Sequence, residues 1–184
     1  MLSQIAVFLI ETLSGFFVFL LLARFHFQWL RVPFHNPVGE FLLALTSWIV
    51  MPVRRVIPGL RGYDLPTLLV AWLVRAIAIW AEWVVIGFEP SGVTILILAA
   101  VDLVRYSVYL LMFAVLLQAV MSWFQSYSPV KPVLDAMTRP FLRPFRRLIR
   151  PIGGFDLTPL ALLVLLQILV IVLEYARPLA ARLG

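Results

Sequence analysis

The sequence predicts an all-α integral membrane protein: four transmembrane helices in two parallel tandem repeats, each with an interfacial amphipathic segment between its helices. Three observations predict it. The 184-residue chain is 63% hydrophobic, with a mean hydropathy of +1.03. Soluble domains run at roughly 45–50% apolar residues, so the chain exposes apolar surface to something other than water. Charged residues make up only 13%, about half the usual share. Finally, four apolar stretches approach or exceed the roughly 20 residues a helix needs to cross hydrocarbon.

The first stretch runs from about Ile5 to Ala23. No charged n-region or small-residue cleavage site precedes it, so it is expected to stay in the mature protein. The second runs from about Leu65 to Phe88, the third from about Val93 to Leu117 with room to continue to Trp123, and the fourth from about Leu157 to Tyr175. Each must satisfy its own backbone polar groups in lipid, which leaves the helix as its form. Between the first two spans lies Val38–Met51, bracketed by Pro37 and Pro52. At roughly 14 residues it is too short to span and reads as an interfacial helix rather than a re-entrant one. The matching stretch, Val133–Phe145, is more polar and is interrupted by Pro140 and Pro144, which argues against deep insertion.

The net charge is +6, from fourteen Arg and Lys131 against nine carboxylates. In a soluble chain this balance would point to nucleic acid; here an anionic phospholipid surface accounts for it, and no nucleic-acid partner is expected. There is no Cys, which excludes disulfides, thiol chemistry and cysteine metal sites. The positive charge sorts by segment. Arg24, Arg31, Arg54, Arg55 and Arg61 lie between spans one and two, and Lys131, Arg139, Arg143, Arg146, Arg147 and Arg150 lie between spans three and four. The connection 87–92 has none and carries Glu89. By the positive-inside rule both basic loops are cytoplasmic and both termini lie outside. Arg177 and Arg182, near the C-terminus, run against that assignment.

The two halves match at a fixed offset. Pro37, Thr46, Pro52, Arg54, Arg55, Ile57, Gly62, Asp64 and Glu82 correspond to Pro129, Thr138, Pro144, Arg146, Arg147, Ile149, Gly154, Asp156 and Glu174. Trp29 corresponds to Trp123 after a two-residue slip. The chain therefore divides into repeats 1–92 and 93–184. Each unit has an even number of spans, so the copies insert the same way up.

Two motifs carry a resemblance. One is Asn36-Pro37 followed by Pro52-Val-Arg-Arg-Val-Ile-Pro58 and Gly62-Tyr-Asp64; the other is Ser128-Pro129 followed by Arg143-Pro-Phe-Arg-Arg-Leu-Ile149 and Gly153-Gly-Phe-Asp156. With Arg24-Phe-His-Phe-Gln-Trp29, the pattern resembles the YggT family, also called YlmG, over nearly the whole chain. In the second half Arg150 precedes Pro151 and shifts the closing proline by one. The resemblance implies a small multi-pass protein of the bacterial plasma (inner) membrane or of plastids. Members of the family are tied to osmotic or cation tolerance, to cell division and nucleoid distribution, and to haem attachment in a plastid cytochrome. It implies an accessory or assembly role.

Three groups of residues stand out as candidate sites. Arg54, Arg55, Arg143, Arg146 and Arg147, with Arg139 nearby, sit just beyond the spans. They can set topology in the headgroup layer, or form a two-fold cradle for an anionic lipid or an acidic protein, since guanidinium binds phosphate in bidentate fashion. Asp64 and Asp156 each precede a span and can cap its free N–H groups, with Pro66 and Pro159 in the first turn. A salt bridge from either Asp to its Arg-Arg pair would tie the loop down. Glu11, Arg75, Glu82, Asp102, Arg105 and Glu174 fall inside spans, where ionised groups face a bundle interior and pair. Arg75 and Glu82 share a helix face, as do Gln167 and Glu174, and as do Asp102 and Arg105. Depth along the helices makes Glu11–Arg75 the first expected pair. This cluster can lock packing, provide a path for protons or cations, or recognise a partner helix.

His26 and His35 lack the further ligands that a haem or metal needs, so no cofactor is expected. Trp29, Trp48, Trp83 and Trp123 suit interfacial aromatic belts. No catalytic triad, phosphate loop or dinucleotide turn is present. The sequence reads as a non-enzymatic accessory or assembly protein with a membrane-protein partner or a second copy of itself. The alternative is a small transporter, or a transporter subunit, linked to cation or osmotic balance.

Overall fold

The computed structural model describes residues 1–59, 62–122, 128–149 and 156–181, and the side chains of these up to Pro178. Of the residues read above, Arg61, Trp123, Arg150, Pro151, Gly153, Gly154 and Arg182 lie outside them. Among the described residues there are six helices and no strand: α1 Leu2–Trp29, α2 Pro37–Val56, α3 Leu65–Val85, α4 Gly92–Ser122, α5 Lys131–Leu148 and α6 Thr158–Ala181. Helices α1, α3, α4 and α6 are long and apolar enough to cross a membrane, and the chain is a multi-pass membrane protein. All four expected spans are present. α1 and α6 run several residues past their expected ends, because hydropathy marks where apolar residues stop and not where hydrogen bonding stops, and α4 takes up the expected continuation as far as Ser122.

The helix ends follow from local chemistry. Asn36 caps α2, its Oδ1 accepting from the Gly39 N–H at 2.9 Å, with Pro37 in the first turn. α3 ends with Gly87 in the left-handed region (φ +82°). The Phe88 N–H donates to the Trp83 carbonyl at 2.9 Å, and the two rings stack edge to face. α1 ends in the same motif, but with Arg31 at φ +55° and the Val32 N–H donating to the Phe27 carbonyl at 2.8 Å. A non-glycine residue in that conformation carries strain.

α3 packs between α1 and α4, and α6 packs on α4. Small residues (Ala71, Ala76, Ala78 and Ala99) line the α3 contacts, allowing the close backbone approach on which helix association in lipid depends. α2 lies across α1 and α3, and α5 lies across α4 and α6. Both meet the C-terminal end of α1. Ala23, Phe27 and Val32 share one buried cluster with Leu42 of α2 and with Val133, Leu134 and Met137 of α5.

α5 corrects one expectation. Pro140 and Pro144 do not interrupt it; the helix continues to Leu148, as α2 continues through Pro52 to Val56. Each proline removes one N–H and frees one carbonyl. Pro52, Pro140 and Pro144 all lie on exposed faces, so no freed group is trapped in the core. Val133, Leu134, Met137, Thr138 and Leu142 form the buried face of α5.

The outward faces differ. On α2 it carries Phe41, Leu45, Trp48 and Met51, all exposed. On α5 it carries Asp135, Arg139, Arg143, Arg146 and Arg147.

Candidate functional site

At the end of the bundle where α2 and α5 lie, two corresponding elbows are built from similar parts. In the first, the Arg54 Nη2 sits 2.7 Å from Asp64 Oδ2 and 3.3 Å from the Gln28 side-chain oxygen. Asp64 also accepts from the Thr67 hydroxyl at 2.6 Å and faces the Thr67 N–H at 3.5 Å, capping α3. Arg24, buried in α1, donates to the Thr46 and Ser47 hydroxyls at 2.8 and 3.1 Å and approaches Asp64 at 3.9 Å. In the second, Arg146 lies 3.4 Å from Asp156. Asp156 accepts from the Thr158 N–H at 3.0 Å and from its hydroxyl, one place further out from the helix than Asp64. The Gln118 amide stands where Arg24 does, bonded to the Thr138 hydroxyl and to Asp135.

The anticipated salt bridges from the Asp residues to the Arg-Arg pairs are thus present, at the first Arg of each pair. The environments are unequal. The Asp64 side chain is 0% exposed, whereas those of Asp156 and Arg146 are 46% and 49% exposed. Burial pushes the Asp156 carboxyl up, but the two bonds from Thr158 and the Arg146 charge outweigh it and hold it below the ordinary carboxylate value.

The second elbow opens onto a cavity of about 840 Å³ between α5 and the end of α1, with Arg139, Arg143, Arg146 and Arg147 in its wall. These residues recur at helical spacing on one face of α5. Arg54 does not line this cavity; Arg55 is exposed on α2. The guanidinium groups in the wall of this cavity therefore all come from α5. Next to it, sharing Leu30 and Pro140, runs an apolar groove of about 460 Å³ between α4, α5 and α6.

The charge cluster runs from the middle of α3, at Arg75, toward the other end of the bundle. Asp102, fully buried, is 2.7 Å from the Arg75 Nε and 3.3 Å from Arg105. Arg177 places its Nε 3.2 Å and its Nη2 3.3 Å from the same carboxylate. The Nε is close enough for an ion pair but not aimed for a hydrogen bond. Arg75 also pairs with Glu82 at 2.7 Å, and both Arg75 and Arg105 lie over the Tyr106 ring. Glu174 accepts from the Tyr109 hydroxyl at 3.3 Å and joins Arg105 and Arg177 around a cavity of about 380 Å³.

The expected Glu11–Arg75 pair is not formed. Glu11 faces outward from α1, and Arg75 turns instead to Asp102 and Glu82. An Arg side chain reaches well beyond the depth of its own Cα, and the rotation of α1 turns Glu11 away from α3. Arg177 was missed because it lies past the apolar run. Its spacing of three from Glu174 was the signal that it continues the same polar face. His26 is buried and donates its Nδ1–H to the Leu22 carbonyl at 2.7 Å, while His35 is exposed on the α1–α2 connection. Among the described residues no group of three His, Asp or Glu gathers as a metal site would require.

The CCB3/YggT family model matches the chain over residues 3–85 and again over 97–176. The chain is 37% identical to the uncharacterised protein YggT of Escherichia coli over 164 residues, which cover 88% of this chain and 85% of that one. It is 32% identical over 167 residues to an uncharacterised protein of Vibrio alginolyticus, covering 87% and 88% of the two chains. It is 28% identical over 172 residues to an uncharacterised protein of Pseudomonas aeruginosa, covering 91% and 87%. No solved structure matches. Matched twice by one family model across most of its length, the chain belongs to the CCB3/YggT family.

Proposed function

We propose that this protein is a non-enzymatic accessory or assembly factor of the bacterial inner membrane. Its basic end engages an anionic surface, either lipid headgroups or an acidic partner. The four-arginine wall of the α5 cavity carries the reading. Arg139, Arg143 and Arg147 have no ion-pair partner among the described residues, so their charge is directed outward. In this reading the chain is two parallel repeats with both basic elbows in the cytoplasm and both termini outside, as the distribution of Arg supports. α2 then lies in the interface with Phe41, Leu45, Trp48 and Met51 against acyl chains, which its apolar outward face supports.

Gln167 supports a membrane-embedded partner or a second copy of the chain. It is exposed on α6 about 14 Å from Thr158, at a depth where lipid offers its amide no hydrogen bond. The charge cluster favours locking over conduction. Asp102 is enclosed by three guanidinium groups, an arrangement that fixes helices and leaves this carboxylate occupied rather than open to a cation.

The test is purification from gently solubilised membranes. One stoichiometric partner should be retained by the native chain and by a variant with Lys at 139, 143 and 147, and lost when those positions are Gln. Ion flux through liposomes holding the purified protein, with no such partner, would establish the transporter alternative instead.

A further inference from the structure

The cavity and the groove of the second half form one continuous site, and we infer that it holds a single anionic phospholipid, the phosphate among the arginines and an acyl chain in the groove. This rests on the reading above that the basic end meets an anionic surface, and it names the occupant.

Four features point to a lipid. First, the polar and apolar parts adjoin: Leu30 and Pro140 belong to both walls. Second, the polar part is cationic. Arg143 and Arg147 are one turn apart on α5, spaced to grip a phosphate from two sides, and guanidinium is the side chain best shaped for that contact. Third, the groove is formed like a trough. Val108, Leu162 and Leu166 form a buried floor, while Val104, Leu165 and Leu169 form a half-exposed rim. It therefore opens sideways, along faces of α4 and α6 that lipid surrounds. Fourth, the lengths agree. Leu169 sits about 16 Å along α6 from Thr158 at 1.5 Å per residue, and one leaflet of hydrocarbon is about 15 Å deep. A soluble phosphate would use only the first of these parts, and a partner helix would not need the arginines beside the trough.

The experiment uses the intact, delipidated protein in detergent. Native mass spectrometry counts bound lipid during titration with phosphatidylglycerol, with phosphatidylcholine as the neutral control and inorganic phosphate as the soluble competitor. One phosphatidylglycerol per chain should be retained at least ten-fold more tightly than phosphatidylcholine, and millimolar phosphate should not displace it. Arg143→Gln with Arg147→Gln should remove the preference. The Lys versions should keep part of it. Leu165→Trp, on the exposed rim and so without cost to the core, should weaken both lipids several-fold by narrowing the trough.

Equal retention of the two lipids, displacement by phosphate, or an unchanged affinity in Leu165→Trp would each overturn the assignment. If these fail while the Gln variants still lose their partner protein, the lipid is wrong and the assembly reading stands. If lipid binds as described and no partner depends on the arginines, the assembly reading is the one that fails.

Discussion

The two elbows share a threonine, an arginine pair and an aspartate at matching positions, yet one is sealed and the other is open. The difference traces to few residues. Where the first half has Arg24, buried and reaching toward Asp64, the second has the neutral Gln118, bonded to Thr138 and Asp135. Among the described residues two cations converge on Asp64, while a single half-exposed one reaches Asp156. The sealed elbow commits Arg24 and Arg54 to internal contacts and leaves Arg55 exposed. The open one leaves Arg139, Arg143 and Arg147 facing outward.

The sharpest way to break this comparison is to remove each aspartate. Asp64→Ala leaves Arg24 and Arg54 without their counter-charge and α3 without its cap, and should cost about 3–5 kcal/mol. Asp156→Ala breaks an exposed pair and a partial cap, and should cost about 1 kcal/mol. Unfolding in mixed micelles measures both. Equal losses would mean that the two elbows are energetically alike.

A smaller contrast lies at the start of the two elbow helices. A Cβ on Gly39 would stand 2.3 Å from the Phe34 carbonyl oxygen and 2.7 Å from its Cα, both backbone atoms that cannot simply turn aside. Gly39→Ala should therefore cost about 1–3 kcal/mol. The corresponding residue, Lys131, already carries an exposed side chain, and Lys131→Ala should change stability by less than about 0.5 kcal/mol. The same unfolding assay separates the pair.

The smallest effect is a pH dependence confined to the second elbow. A carboxylate held below its ordinary value adds stability above its unfolded pKa and loses it as the pH falls through the folded one. The contribution of Asp156 should therefore be present at neutral pH and disappear on acidification below about pH 4. Because the pair is exposed, the change should be only a few tenths of a kcal/mol. Asp156→Asn should remove it, which a comparison of the two stability–pH curves would detect.

Much of this architecture was legible in the residues. Long apolar runs gave the four spans, because lipid forces a backbone to bond within itself. The aspartates and the Arg-Arg pairs announced their salt bridges by a shared offset and by their place before a span. The run through Pro140 and Pro144 was not legible, since a helix tolerates a proline best where its freed carbonyl reaches a polar medium, and that depends on which face tertiary packing exposes. The partner of Arg75 was hidden for a related reason: rotation of a helix about its axis leaves no trace in hydropathy. The role of Thr46 and Thr138 also needed coordinates. Extending the slip seen at Trp29 and Trp123 brings Arg24 onto Gln118, a correspondence that gains meaning only once both side chains are seen bonded to those threonines.

The central claim is that both elbows stand at one face of the membrane, and the absence of native cysteine makes it directly measurable. Arg55→Cys, Arg147→Cys and Glu89→Cys, each as the sole cysteine, are labelled with a membrane-impermeant maleimide in intact spheroplasts and in inverted vesicles. The account predicts that positions 55 and 147 react in inverted vesicles alone and position 89 in spheroplasts alone. Labelling of 55 and 147 from opposite sides would contradict it.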